Sequence, residues 1–153
     1  MHPEEKLREL GLTLDPPGTP SARYVPAVRT GNLLFVSGHG PSRGGKMQYI
    51  GKVGREFTVE EGYEAAKITA LAILSTVKAQ LGDLGKVRRV VKLLGMVNCT
   101  EDFTRPPQVI NGASDLFCEL WGENGAHARS AVGLQQLPNG MAVEIESIWE
   151  VED

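Results

Sequence analysis

Histidine is scarce in this sequence and does not cluster: His2, His39 and His127 lie far apart. Without a His-Glu-x-x-His motif or a ladder of ligands, the pattern a metal enzyme needs is missing. Cysteine is scarcer still. Cys99 and Cys118 show no C-x-x-C spacing, so neither a zinc site nor a redox pair is indicated, and both read as buried thiols. No apolar run approaches the ~18 residues of a membrane span. Met1 to Lys6 shows no basic region followed by an apolar one, so a cytoplasmic location and no membrane partner are expected. Basic charge is also lacking. A net charge of −3 and a pI near 5.7 argue against a nucleic-acid partner, which needs a basic footprint. Lys86, Arg88, Arg89 and Lys92 are the local exception and read as a solvated strand end. Aromatics, at 6%, leave no stacking platform for bases.

What remains is an ordinary soluble composition, 41% hydrophobic and 23% charged over 153 residues, which suits one domain spanning 1–153 with a core of its own. Residues 1–20 form an extension: a short helix over residues 3 to 10, then a proline-rich lead-in from Asp15 to Pro20. Strands follow at Ala27 to Thr30 and Leu33 to Ser37, joined by a hairpin turn at Gly31-Asn32. The glycine-rich stretch from Gly38 to Gly54 reads as a flexible loop. Within it, Gly40 to Lys46 matches G-x-x-x-x-G-K, but Met47 stands where a magnesium-holding Ser or Thr belongs, and Gln48 to Gly51 does not open a helix. Nucleotide binding is therefore not expected.

Thr58 to Glu61 has capping-box spacing, and Tyr63, Ala66, Ala70, Ile73, Leu74, Val77 and Leu81 recur at helical intervals up to Gly82. Val87 to Asn98 reads as a strand with apolar residues on both faces. Pro106 and Pro107 open a second long helix, striped by Val109, Ile110, Ala113, Leu116, Phe117, Leu120 and Trp121 and ended by Gly122. The order β-β-α-β-α-β-β predicts an α+β fold, a mixed sheet covered on one face by two helices. Leu94 and Met96 on the other face suggest a second subunit there.

The last segment carries the chemistry. Arg129, Ala131 and Gly133 share one side of a strand, so the arginine has small neighbours and open volume beside it. A guanidinium so placed can hold a carboxylate by two parallel hydrogen bonds. Val143, Ile145, Ser147, Trp149 and Val151 form one face of the next strand, and Glu144, Glu146, Ile148 and Glu150 the other. If Asn139-Gly140 turns a tight hairpin between the two strands, Arg129 lies across from Glu150 and about 20 Å from Glu144. On spacing alone, Arg129 is then either a carboxylate anchor or an ion-pair partner of Glu150. Glu144 and Glu146 are either catalytic or solvated. For Arg129 and Glu144 to share a site, that site must lie between subunits.

With these residues in view, the chain resembles the YjgF or Rid (reactive intermediate deaminase) family, historically called L-PSP endoribonuclease. The resemblance runs from about Tyr24 to Trp149. It rests on Gly31-Asn32 with Val36-Ser37-Gly38, on Asn111, on Ala128-Arg129-Ser130, and on Leu137-Pro138 with Val143-Glu144-Ile145-Glu146. It implies a chorismate-mutase-like homotrimer with clefts between subunits. It also implies a cofactor-free deaminase that hydrolyses small enamine or imine acids of the 2-aminoacrylate type to 2-oxo acids and ammonia. By the same resemblance Arg129 and Glu144 are catalytic, as carboxylate anchor and water-activating group. Tyr24, Gly38, His39, Asn111 and Ala131 line or support the substrate site, and the partner is a small carboxylate-bearing metabolite. A noncatalytic trimer that senses small carboxylates is the alternative, with ribonuclease activity a more distant third. His127, Ala131 and His39 stand where the family usually has proline, cysteine and glutamine, which points to a side branch. His39 is open to two roles, proton donor or hydrogen-bonded structural residue.

Overall fold

The computed structural model describes residues 1–20 and 22–153. The elements run α1 (Pro3–Glu9), β1 (Ala27–Thr30), β2 (Leu33–His39), β3 (Ser42–Arg43), β4 (Lys46–Met47), α2 (Val59–Leu81), β5 (Val87–Asn98), α3 (Pro106–Trp121), β6 (Ala128–Leu134) and β7 (Val143–Val151). The expected capping box is formed: the Thr58 hydroxyl accepts from the Glu61 N–H at 3.1 Å, and the Glu61 carboxylate accepts from the Thr58 N–H at 3.0 Å. Gly82, at φ 84°, ends α2 in the left-handed conformation a side chain disfavours. α2 and α3 lie together on one face of a five-stranded sheet ordered β1-β2-β7-β5-β6.

Between helices and sheet the core is apolar. Trp149 is fully buried, with the Phe117 ring edge-on to it at 5.1 Å and Trp121 at 5.5 Å. Such pairs add about 0.5–1.5 kcal/mol beyond their area burial. The other sheet face is open, and Val28, Phe35 and Val132 are exposed on it. Cys118 is exposed too, contrary to expectation, because its place on α3 turns it away from the core; Cys99 is buried. Among the described residues no helix is long and apolar enough to cross a membrane.

Two further expectations fail here. First, β6 and β7 do not form a hairpin: β6 runs parallel to β5, while β7 inserts between β5 and β2 and is antiparallel to both. Asn139 and Gly140 do take positive φ values, 59° and 72°, as the turn motif requires. Their turn, however, belongs to a connection that crosses over the end of β5. Asn98, the last residue of β5, holds it there. Its buried amide donates to the carbonyls of Gly51 and Gly140 and to the Gln136 side chain at 3.0–3.3 Å, and accepts from Lys52 at 2.7 Å. Arg129 therefore faces Leu93, not Glu150.

Second, the Gly40 to Lys46 stretch is structured. β3 and β4 form a short hairpin turned by Gly44 and Gly45, at φ 61° and 76°. It is tied to the N-terminal extension: Asp15 accepts from the Gly44 N–H at 2.8 Å, and Arg43 donates to the Thr13 hydroxyl at 3.1 Å. The extension is fixed at its start as well. His2 contacts Asp83 at 2.8 Å, and Glu4 accepts from Lys78 and from the Leu84 N–H at 2.6 and 3.0 Å.

Candidate active site

The topology sorts the candidate residues into two groups. Arg129 sits opposite Leu93 and Glu144 opposite Met96, on either side of β5. Three residues along and two strands across make a backbone separation of about 14 Å. The faces matter more than the distance. Leu93 and Val97 are buried beneath the helices, so Arg129 points to the helix side, whereas Glu144 alternates with buried Val143 and Ile145 and points to the open side. Within one chain the two cannot meet.

Around Arg129 the sheet edge and α3 build a hydrogen-bonded cluster. Guanidinium Nη1 donates to Asn111 Oδ1 at 2.8 Å and to Ser114 Oγ at 3.0 Å. Ser114 contacts His127 Nε2 at 2.9 Å, and His127 Nδ1 lies 2.7 Å from the Gly125 carbonyl. A carbonyl only accepts, so Nδ1 carries the proton and Nε2 takes the Ser114 hydrogen. Burial pushes the His127 pKa down, and the Arg129 charge pushes it further, which favours the neutral ring. Arg129 Nε and Nη2 have no partner among the described residues. Of its small neighbours, Ala131 is half-buried against the core, and at exposed Gly133 a Cβ would come 2.7 Å from Cys99 Sγ.

The second group lies in a cleft of about 1190 Å³ whose lining includes Tyr24, Gly38, His39 and Glu144, but not Arg129, Asn111 or Ala131. A bulge forms it. Val36 pairs with Ser147 and His39 with Ile145, so Ser37 and Gly38 together oppose the single residue Glu146. Gly38 is needed for space, since a Cβ there would lie 2.3 Å from Glu144 Oε2. The Glu144 carboxylate is half-buried and accepts no side-chain or backbone hydrogen bond among the described residues. Burial raises its pKa, and the neighbouring Glu146 charge raises it further.

His39 is fully occupied. Its Nδ1 donates to the Ser37 carbonyl and its Nε2 accepts from the Thr76 hydroxyl, both at 2.7 Å, and burial pushes its pKa down. This arrangement matches a structural histidine rather than a proton donor. Tyr24 is exposed at the cleft's rim. The sequence reading missed Ser114, although Asn111-x-x-Ser114 is the spacing that puts two polar groups on one helix face. His2, Glu4 and Asp83 converge within 4.8 Å, but their atoms are taken up in tying down the N-terminal extension.

Comparison with known proteins places these features in context. A family model described as "YjgF/chorismate mutase-like, putative endoribonuclease" matches residues 4–142. Protein TCP17 of Trypanosoma cruzi is 45% identical over 150 residues, covering 96% of this chain and 92% of its own length. The crystal structure of Atu1372 from Agrobacterium tumefaciens, a protein of unknown function, is 46% identical with a TM-score of 0.92, covering 98% of this chain and 92% of that one. RidA from the Antarctic bacterium Psychrobacter sp. PAMC 21119 is 27% identical with a TM-score of 0.61, covering 89% and 94%. In shape the chain is nearer to the Agrobacterium protein than to this RidA.

Proposed function

Given that the chain belongs to the YjgF/chorismate mutase-like family, we propose that it hydrolyses small enamine or imine acids to 2-oxo acids and ammonia at a site completed between copies of the chain. One observation carries the reading. Among the described residues the Nε–Nη2 edge of Arg129 and the Glu144 carboxylate have no partner, and the two lie on opposite sheet faces, so a neighbouring copy is what can bring them together. The open face with Val28, Phe35 and Val132 offers apolar surface for that neighbour, in a homotrimer.

The chemistry asks for little. Nε and Nη2 of Arg129 hold the substrate carboxylate in a planar pair. Water attacks the electrophilic imine carbon while Glu144 takes one of its protons and returns it to nitrogen, giving the carbinolamine; Glu144 then carries the hydroxyl proton to nitrogen as the C–N bond breaks and C=O forms, so that ammonia leaves and the 2-oxo acid remains. No cofactor enters this balance. Gly38 makes room for the Glu144 carboxylate, Tyr24 forms the rim, Asn111 steadies the guanidinium and Ala131 forms part of its floor. His39 supports the bulge.

The test is to generate 2-iminobutanoate in situ with an amino-acid oxidase and follow its decay with wild type, Arg129→Ala and Glu144→Ala. Acceleration by wild type that both variants lose supports the reading. No acceleration overturns it for this substrate. Retained binding of 2-oxobutanoate without turnover would favour the noncatalytic carboxylate-binding trimer. A monomeric mass at working concentration removes the shared site.

A further inference from the structure

The family's usual proline before Ala-Arg would contribute no hydrogen-bonding side chain at position 127; this chain has a histidine with both nitrogens engaged. The ring is held on three sides. Nδ1 faces the Gly125 carbonyl at 2.7 Å, Nε2 faces Ser114 at 2.9 Å, and the Phe117 ring stands edge-on at 6.4 Å. Gly125 is itself fixed, because its backbone presses on Phe117 so closely that a Cβ would fall 2.2 Å from the Phe117 carbonyl oxygen. A flipped ring would present a C–H to that carbonyl. The geometry therefore selects one tautomer, and with it one direction for every hydrogen that follows.

Resting on the reading of Arg129 as the carboxylate anchor, we infer that His127 and Ser114 are positioning residues: His127 orients the Ser114 hydroxyl, and Ser114 locks the Arg129 guanidinium with its Nε–Nη2 edge toward the ligand. Ser114 has one hydrogen to give. Left alone, it can turn that hydrogen toward Arg129, where donor would meet donor. His127 Nε2 takes the hydrogen, so the Ser114 lone pairs face Nη1. Asn111 Oδ1 accepts the other Nη1 hydrogen, and Nη1 is then satisfied in one orientation. The cost of ordering a long, flexible side chain is met before substrate arrives, which is how preorganisation raises affinity. Neither residue touches substrate; both act through Arg129.

The experiment uses the full chain with 15N-labelled arginine guanidinium groups, the Arg129 signal being assigned by its loss in Arg129→Lys. In wild type the Nη1 hydrogens give resolved, slowly exchanging signals. Ser114→Ala and His127→Phe, the latter keeping a ring against Phe117, collapse them by freeing rotation about Cζ–Nη1. Both variants weaken 2-oxobutanoate binding by about tenfold, the worth of one hydrogen bond to a charged group. The double variant binds no more weakly than Ser114→Ala alone, since His127 acts only through Ser114. His127→Gln, whose amide oxygen can accept from Ser114, restores resolved signals and guards against a misfolded Phe variant. The inference is overturned if the Arg129 signals in His127→Phe match wild type, or if the two losses multiply in the double variant. Wild-type binding of 2-oxobutanoate through Arg129 without hydrolysis of 2-iminobutanoate would overturn the deaminase reading while supporting this one. Absence of any wild-type binding overturns both.

Discussion

Around Arg129, Nη1, the Ser114 hydroxyl and both nitrogens of His127 have partners at 2.7–3.0 Å; around Glu144, the carboxylate has none among the described residues. The two regions are built to different standards of completeness, and the difference is chemical. A carboxylate anchor works best when its geometry is settled in advance, because each lost rotamer costs affinity. A general base must keep its lone pairs for water, so hydrogen bonds from the protein would hold down its pKa and blunt it. The arginine side is hydrogen-bonded through Nη1; the glutamate side is half-buried and has no partner among the described residues.

The sharpest way to break this contrast is Glu144→Gln, which keeps shape and removes the proposed base. It should lower kcat for 2-iminobutanoate by about 10²–10⁴-fold without lowering the thermal midpoint, as steady-state rates and melting curves would show. An unchanged kcat would reduce Glu144 to lining. Arg129→Lys comes next: the point charge survives but the planar fork does not, and the Kd for 2-oxobutanoate measured by calorimetry should rise about 10–100-fold. Equal affinity would mean that charge alone holds the ligand.

Gly38→Ala probes the space on the glutamate side. The new Cβ displaces the end of a flexible side chain, so stability should change by less than about 1 kcal/mol while kcat falls by about tenfold through misplacement. A large loss of stability with kcat intact would show that Gly38 serves the bulge instead. The smallest effect is in pH. Burial first, and then Glu146, raise the Glu144 pKa, so activity needing the ionised form falls as pH drops through that raised value. Glu146→Gln should move the acid limb of the kcat profile to lower pH. The same sign governs stability: the folded chain holds this proton more tightly than the unfolded one, so ionising Glu144 costs stability as pH rises, and Glu146→Gln recovers part of it.

Much of this arrangement can be read along the chain. The Thr58–Glu61 box, the stripe down α2, Pro106-Pro107 and the Gly31-Asn32 turn are local signals, and local hydrogen bonds decide them. The fate of β6 and β7 is not local. Asn139-Gly140 gives the backbone the φ values its motif demands, yet the motif says nothing about which strand the chain meets next. β5, apolar on both faces, can take a partner along either edge, and Asn98 carries the connection across its end. The hairpin register keeps Arg129 and Glu144 on one face and parts them by distance; the pairing of both strands with β5 parts them by face instead, Arg129 beside buried Leu93 and Glu144 beside Met96. Ser114 stays hidden for a similar reason: a lone serine on a helix acquires meaning only once His127, in the connection before β6, reaches it.

β7 lies between β5 and β2, and through it alone the first hairpin joins the rest of the sheet. A nascent or refolding chain can therefore assemble β5, α3 and β6 with α2 before β1 and β2 are paired into the sheet, since β2, although it also packs on α2, pairs with β7 across more than a hundred residues and closes a long loop. Topologies with such distant pairings fold slowly and expose strand edges in the meantime. The early species would carry the Arg129 cluster without the Glu144 cleft, so ligand affinity during refolding should return before turnover does.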